Sequence, residues 1–234
     1  MIDIHAHILP GVDDGPKHWS ETLQLCQIAS EVGISTMVAT PHFIPGAYTR
    51  GVREGARLLK ELEKGLEEED IDLEVFLAAE IEPFPEMIQW IEGDRLPLYP
   101  SRKHILIEAP MFSLPPWLEE LLGDITASGL IPILAHPERS PMASTSLPGE
   151  LVSTGGEIQL DAGSLLGFWG REAQKWAWKM VNNGWVSYVA SDSHRAGIRD
   201  PRLLERAHKA LVKEVGENLA RDLTEGNPLK VITP

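Results

Sequence analysis

The chain is predicted to fold as one parallel α/β domain whose strands close into a barrel, and three features of the sequence point that way. Short β-rich apolar runs alternate with helical segments along all 234 residues, the pattern of repeated βα units. Seven of those runs stop at a polar residue of metal-ligand type, namely His7, His42, Glu80, Glu108, His136, Asp161 and His194, which lie 25 to 38 residues apart, the length of one such unit. No linker-like stretch interrupts the alternation. A doubly wound open sheet also gathers ligands at strand ends, but mainly near one switch point, whereas a barrel delivers every C-terminal strand end to one rim. Seven polar ends favour the barrel.

The first strand runs from Ile2 to His7. Alternation in extended backbone puts His5 and His7 on one face and Ile2, Ile4 and Ala6 on the other. The turn formers Pro10-Gly11 and Asp13-Asp14-Gly15 then stop the strand and can return Asp13 or Asp14 towards the two rings. Ser20 to Val32 carries Leu23, Cys26, Ala29 and Val32 at helical spacing, with Gly33 as its C-cap. A strand from Ile34 to Thr40 stops at Pro41-His42, and Gly51 to Asp70 is an amphipathic helix with Leu58, Leu59, Leu62 and Leu66 set among charges.

Leu73 to Ala79 is the next strand and stops at Glu80; a short helix at Met87 to Ile91 leads to the strand His104 to Ile107, which stops at Glu108. A helix from Trp117 to Ser128 closes at Gly129, and the strand Leu130 to Ala135 stops at His136-Pro137-Glu138-Arg139. The Ser/Pro/Thr-rich stretch from Ser140 to Gly149 is expected to be a mobile loop. Glu157 to Leu160 stops at Asp161-Ala162-Gly163, a Trp-rich helix covers Glu172 to Asn182, and Trp185 to Ala190 stops at Ser191-Asp192-Ser193-His194. Asp200 as N-cap and Pro201 at the first helical position open a helix that Gly216 ends, before a last short one.

Composition narrows the function. With 43% hydrophobic and 24% charged residues the chain is an ordinary soluble globular protein. Its net charge of -14, with no basic patch to offset it, repels nucleic acid and anionic membranes. A single cysteine, Cys26, rules out a disulfide framework and a Cys-rich zinc site and suits a reducing cytoplasm. Val32 stands six places after Cys26, so the Cys-to-Arg spacing of thiol phosphatases is missing, and Cys26 is expected to be a small buried hydrophobe. Met1 leads straight into the first strand without a basic or apolar leader pattern, so no signal peptide is expected, and the longest uncharged apolar stretch, Ile125 to Leu134, is too short to span a bilayer.

Each polar strand end has an unremarkable reading by itself: a turn stabiliser, a helix cap, a loop anchor. Together they place five of eight histidines, His5, His7, His42, His136 and His194, directly after apolar runs, which independent structural roles would not do. Imidazoles and the carboxylates Asp14, Glu80, Glu108 and Asp192 suit borderline divalent metals, and nine ligands are enough for two or three ions with a bridging carboxylate such as Glu80. About three divalent ions against four carboxylates leave roughly two positive charges, so an anion can bind within an acidic protein. Arg139 and Arg199, close in sequence to His136 and His194, are placed to grip phosphate oxygens, unless they pair with carboxylates such as Glu138 or Asp200. Phe168 and Trp169 could stack on an aromatic substrate, but packing is their expected use.

The strings Asp3-Ile4-His5-Ala6-His7, Gly11-Val12-Asp13-Asp14-Gly15, Thr40-Pro41-His42, His136-Pro137-Glu138-Arg139 and Ser191-Asp192-Ser193-His194 resemble the PHP (polymerase and histidinol phosphatase) superfamily. Within it they look most like the bacterial capsule and exopolysaccharide tyrosine phosphatases of CpsB/YwqE type. The resemblance extends over nearly the full chain and includes Asp161 to Gly167 and Asn227-Pro228. It implies a distorted seven-stranded (β/α) barrel spanning residues 1–234 as one PHP domain, and a trinuclear site usually activated by manganese, with iron or zinc as other occupants. It also implies hydrolysis of phosphotyrosine on a partner bacterial tyrosine kinase by a metal-bound hydroxide. On the matching positions, His5, His7, Glu80 and Asp192 would hold one ion, Glu80, Glu108 and His136 a second, and Asp14, His42 and His194 a third, with Arg139 and Arg199 on the phosphate. Ser140 and Asp200 depart from the family pattern, where an aromatic residue and a proline are common, and both fall on the substrate side. The competing expectations are a small-molecule phosphomonoesterase, such as a histidinol-phosphate phosphatase, and a non-catalytic metal-stabilised module.

Overall fold

A computed structural model describes residues 1–234. Nine strands carry the chain: β1 (Ile2–Ala6), β2 (Thr36–Ala39), β3 (His42–Phe43), β4 (Glu74–Leu77), β5 (Glu80–Ile81), β6 (His104–Glu108), β7 (Ile131–Ala135), β8 (Glu157–Asp161) and β9 (Tyr188–Ala190). Every pairing between them is parallel, in a three-stranded sheet of order β1-β2-β4 and a six-stranded sheet of order β3-β5-β6-β7-β8-β9. The parallel α/β reading is therefore correct, while the hydrogen-bond ladders form two sheets and not one continuous barrel.

The reason lies in two of the seven expected strands, which are interrupted. Between β2 and β3 stands Thr40-Pro41, and proline has no N–H to give a ladder. Ala78-Ala79 separates β4 from β5, so the run expected to stop at Glu80 resumes there as a second short strand. Single hydrogen bonds carry the alignment across the gaps, from Ala78 N to the Ala39 carbonyl (2.9 Å) and from Glu80 N to the Pro41 carbonyl (3.2 Å). At the far edge, an isolated parallel bridge joins Ala6 to Ser193, with His7 N donating to the Ser193 carbonyl (2.8 Å) and Asp192 N to the His5 carbonyl (2.9 Å). The two sheets thus approach each other at the strand ends that carry the polar residues.

Strands covered on both faces need apolar side chains on both, and these have them. Leu106, Ile133 and Tyr188 belong to one buried cluster with Ile2, Ile4, Val38 and Tyr99, whereas Ile105, Ile107 and Leu134 belong to another with the helix Leu118–Ala127. The helix Arg50–Glu68 buries Leu58, Leu62 and Leu66, four residues apart on one face, each worth roughly 2 kcal/mol by area. Val231 and Ile232, in the last helix Asn227–Ile232, join the cluster of Ile2 and Ile4.

Helix limits match the sequence reading closely, for example Trp19–Glu31 and Arg171–Asn182. The helix Arg202–Val215 starts one residue later than expected, with Pro201 at its N-cap, and Asp200 just before it accepts from Arg202 N (3.1 Å). Cys26 is fully buried, and burial pushes its thiol up to about 12. The stretch Ser140 to Gly149 is not a structureless loop. It holds a 3₁₀ turn, Pro141–Ser144, and the start of the helix Leu147–Ser153, because Ser140 Oγ accepts from Met142 N (3.2 Å) and Pro141 and Pro148 open each turn. Met142 and Ala143 are buried there.

Candidate metal centre

All nine side chains with metal-ligand chemistry meet at the C-terminal ends of the strands. At the middle are His5 Nε2, His7 Nε2, Glu80 Oε2 and Asp192 Oδ1. The two imidazole nitrogens are 3.2 Å apart. His5 Nε2 lies 3.3 Å from Glu80 and 3.4 Å from Asp192, and His7 Nε2 lies 3.2 Å and 3.6 Å from the same two oxygens. Donors bound tetrahedrally at about 2.1 Å from one cation lie about 3.4 Å from one another, so this spacing fits a shared ion.

Two further groupings flank that knot. His42 Nδ1 is 3.0 Å from Glu80 Oε2 and 3.6 Å from Glu108 Oε2. Asp14 Oδ1 is 3.1 Å from His194 Nε2 and 3.6 Å from His42 Nε2, and His7 completes a group of four. His136 Nε2 meets Glu80 Oε1 at 2.8 Å and groups with His5 and Asp192, whereas Glu108 groups with His42 and Glu80. Glu108 thus shares His42 with the Oε2 side of Glu80 while His136 meets the Oε1 side, whereas the resemblance implied Glu80, Glu108 and His136 around one ion. The approach of His42 Nδ1 to Glu80 Oε2 is not a well-aligned hydrogen bond, and both atoms, like His136 Nδ1, are buried without one. Buried polar atoms of this kind cost about 1–3 kcal/mol each, which a cation between them would offset.

An outer layer of residues turns the rings inward. His5 Nδ1 contacts Gln159 Oε1 (2.7 Å), whose amide nitrogen donates to the Leu160 carbonyl, and His7 Nδ1 contacts Asp13 Oδ2 (2.8 Å). With each Nδ1 carrying the proton, the Nε2 lone pairs face the centre. Asp13 also accepts from His42 N (3.0 Å) and Gly15 N (3.0 Å). The two neighbouring aspartates therefore divide the work: Asp14 faces the cluster, and Asp13 holds His7 and the loop. Asp3 accepts from Ser191 N (2.9 Å) and Ser191 Oγ (2.5 Å), tying β1 to the segment that bears Asp192 and His194. His136 (φ 37°) and Asp192 (φ 51°) both adopt left-handed backbone, a strained state for residues other than glycine that concentrates at functional sites.

The electrostatics are those of a densely coupled cage. Burial alone would lower His5, but Glu80 and Asp192 outweigh it and push the imidazole up to about 9. His42 is likewise raised to about 10, against burial, by Glu80 and Glu108. Burial and the Glu80 charge raise Glu108 to about 7. Burial would also raise Glu80 and Asp192, yet His5 holds Glu80, and Arg199 and His5 hold Asp192, well below the carboxylate range.

Both arginines reach this centre, and their partners are not Glu138 or Asp200. Arg139 Nη1 donates to Asp161 Oδ2 (3.0 Å) and Asp192 Oδ2 (2.9 Å). Arg199 donates from Nε to the Asp192 carbonyl (2.6 Å), and its Nη2 lies 2.7 Å from Asp192 Oδ1. Trp169, expected to pack or else to stack on an aromatic substrate, lies beneath both guanidinium groups: the Arg139 carbon is 3.9 Å and the Arg199 carbon 5.3 Å from its ring centroid. Its indole N–H donates to Asp161, which in turn holds Arg139. Of the residues that complete the site, sequence reasoning missed Gln159 altogether and gave Asp161 no role beyond ending a strand. Asp161 alone carried a signal, as the one polar strand end left without a ligand assignment.

The sequence profile for capsular polysaccharide synthesis, CpsB/CapC, matches residues 1–233. Tyrosine-protein phosphatase YwqE of Bacillus subtilis is 36% identical over 234 residues, covering 98% of this chain and 91% of its own. Tyrosine-protein phosphatase CpsB of Streptococcus pneumoniae is 28% identical over 239 residues, with 99% and 98% covered. A crystal structure from work on these two proteins, described as unique metal-dependent tyrosine phosphatases, superposes with a TM-score of 0.92 at 34% identity, covering 99% of this chain and 94% of that one. The phosphotriesterase homology protein of Escherichia coli, with phosphate in its active site, shares the fold at 12% identity and a TM-score of 0.59, covering 99% and 98%. With the profile matched along almost its whole length, the chain belongs to the CpsB/CapC family.

Proposed function

We propose that this protein is a metal-dependent phosphoric monoester hydrolase acting on phosphotyrosine in proteins, with manganese as its activating metal and a bacterial tyrosine kinase of capsule or exopolysaccharide synthesis as its substrate. We read the two parallel sheets as parts of one distorted seven-stranded barrel of PHP type, its polar rim forming the active site. The observation that carries the reading is the knot of His5, His7, Glu80 and Asp192 with Arg139 and Arg199 directly beside it. The relatives' activity supports the same conclusion.

His5, His7, Glu80 and Asp192 would hold one cation, with His42, Glu108, Asp14, His194 and His136 holding the others around the shared Glu80. Divalent ions bound there would supply an activated water at neutral pH and positive charge against the phosphoryl oxygens. Both hydrogen bonds of Arg139 to carboxylates leave from Nη1, so Nη2 and Nε are free to bind phosphate as a fork. Arg199 is anchored through Nε and Nη2, so Nη1 is its free donor. The guanidinium pair, pinned from below by Trp169, presents fixed donors to charge that builds up as the phosphoryl group transfers. Tyrosinate is a good leaving group, so little general-acid help is needed. Cys26, buried and far from ionising, takes no part.

Chelation is expected to abolish hydrolysis of a phosphotyrosyl peptide and manganese to restore it, with thiol alkylation having no effect. Histidinol phosphate is expected to be a poor substrate in the same assay. Activity that survives exhaustive metal removal would end the proposal, and a preference for histidinol phosphate would move it to a small-molecule phosphatase. No helix is long and apolar enough to cross a membrane.

A further inference from the structure

A groove of about 510 Å³ opens beside Arg139; Met111, Pro141, Ala143, Trp169 and Trp176 give it an apolar wall, and polar residues including Ser144 and Glu172 line the rest. It is continuous with the candidate site, since Arg139 and Trp169 belong to both. Beside it Phe112, next in sequence to Met111, is 96% exposed, and Phe168, next to Trp169, is 44% exposed. Exposed aromatic rings that continue an apolar groove wall form a contiguous patch of the kind that marks protein-binding surfaces. A second hollow of about 250 Å³ beside Asp14 and His194 is smaller and bordered by Lys17, Glu21 and Arg195, which suits water and ions better than side chains.

Resting on the phosphotyrosine reading, we infer that this groove is the subsite for the polypeptide next to the phosphotyrosine, and that it selects an apolar side chain at that flank. Trp169 joins the two functions: one part of the ring steadies the arginines, and its edge is wall to the groove. An extended segment leaving the phosphate at Arg139 enters the groove directly, with its side chains spread over Trp176, Met111 and Pro141. Nothing but the phosphoryl end of a small ester would reach the site, so such a substrate would leave the groove unused.

The test compares para-nitrophenyl phosphate with two phosphotyrosyl peptides, one flanked by leucine and valine and one by glycine, on the manganese-loaded protein. Wild-type protein is expected to favour the apolar-flanked peptide through KM. Ser144→Trp, an exposed position at the groove, and Trp176→Ala should each raise KM for that peptide about tenfold, the worth of one apolar side-chain contact, with activity on para-nitrophenyl phosphate within about twofold of wild type. Equal KM for both peptides, or parallel changes on peptide and aryl ester, would overturn the subsite and leave the phosphatase standing. Failure of the wild type on all three substrates would overturn both. Because Trp176 also packs on the core, Ser144→Trp decides the matter if Trp176→Ala does not fold.

Discussion

Arg139 hydrogen-bonds no candidate ligand nitrogen; its charged contacts are Asp192 Oδ2 and the carboxylate of Asp161, over the Trp169 ring. Arg139→Ala is therefore expected to lower kcat/KM roughly a hundredfold, the usual cost of one charge-stabilising donor, while elemental analysis finds the metal content unchanged. Wild-type turnover in that variant would discard its role. Asp13 has the opposite profile. It stands outside the cage and holds His7 Nδ1 at 2.8 Å, so Asp13→Asn should weaken metal binding about 10- to 100-fold and restore much of the activity at saturating manganese. A titration of activity against manganese separates the two cases, since loss of Arg139 should not respond to added metal.

The loop between β1 and the helix Trp19–Glu31 is held by close packing as much as by hydrogen bonds. A Cβ added at Gly15 would sit 2.5 Å from the His7 carbonyl oxygen, nearer than any real contact, and that atom is backbone and cannot swing aside. Gly15→Ala is thus expected to displace Asp13 and Asp14 together, lowering both metal affinity and melting temperature, whereas replacing an exposed residue of the same loop such as Lys17 should do neither. The helix Arg50–Glu68 shows the same economy: a Cβ at Gly51 would meet Pro41 at 2.6 Å, so glycine lets the helix lie against the break that turns His42 into the site. Leu62→Ala on its buried face should cost about 2–5 kcal/mol without touching the chemistry.

For the molecule as a whole, protons and metal compete for one cage. Glu108 is raised to about 7 and Glu138, by burial and Asp161, to about 8, while His5 is raised to about 9. Each binds its proton more tightly folded than unfolded, so its stabilising share is present at low pH and is lost as pH rises through the folded value. For the carboxyls that window runs from 4.5 to about 8, and for His5 from 6.5 to about 9. The depressed carboxylates Glu80 and Asp192 act in the reverse sense and only in acid, below 4.5 and 3.8 respectively. Metal-free protein should therefore melt at progressively lower temperature from pH 6.5 to 9. Manganese at about 100 times its Kd should add about 2.7 kcal/mol, and melting curves should then flatten with pH. A metal-free curve that rises with pH would show the cage is not proton-bridged.

Local rules carried the reading a long way. Alternating side chains put His5 and His7 on one face, turn formers marked where strands end, and the ligand-type residues at those ends were visible because strand period and donor chemistry are properties of neighbours in the chain. What needed the folded molecule was every relation between distant segments. That Asp13 orients His7 while Asp14 faces the cluster, that Gln159 and Asp161 back the site, and that Trp169 lies beneath two arginines all depend on how β1, β8 and the loops beyond them stand in space. The division of the strands into two ladders is also a tertiary property, since Thr40-Pro41 and Ala78-Ala79 break hydrogen-bond pairing without breaking the apolar runs. Patterning tells a residue which way to face along its own strand; only packing decides which atom it meets.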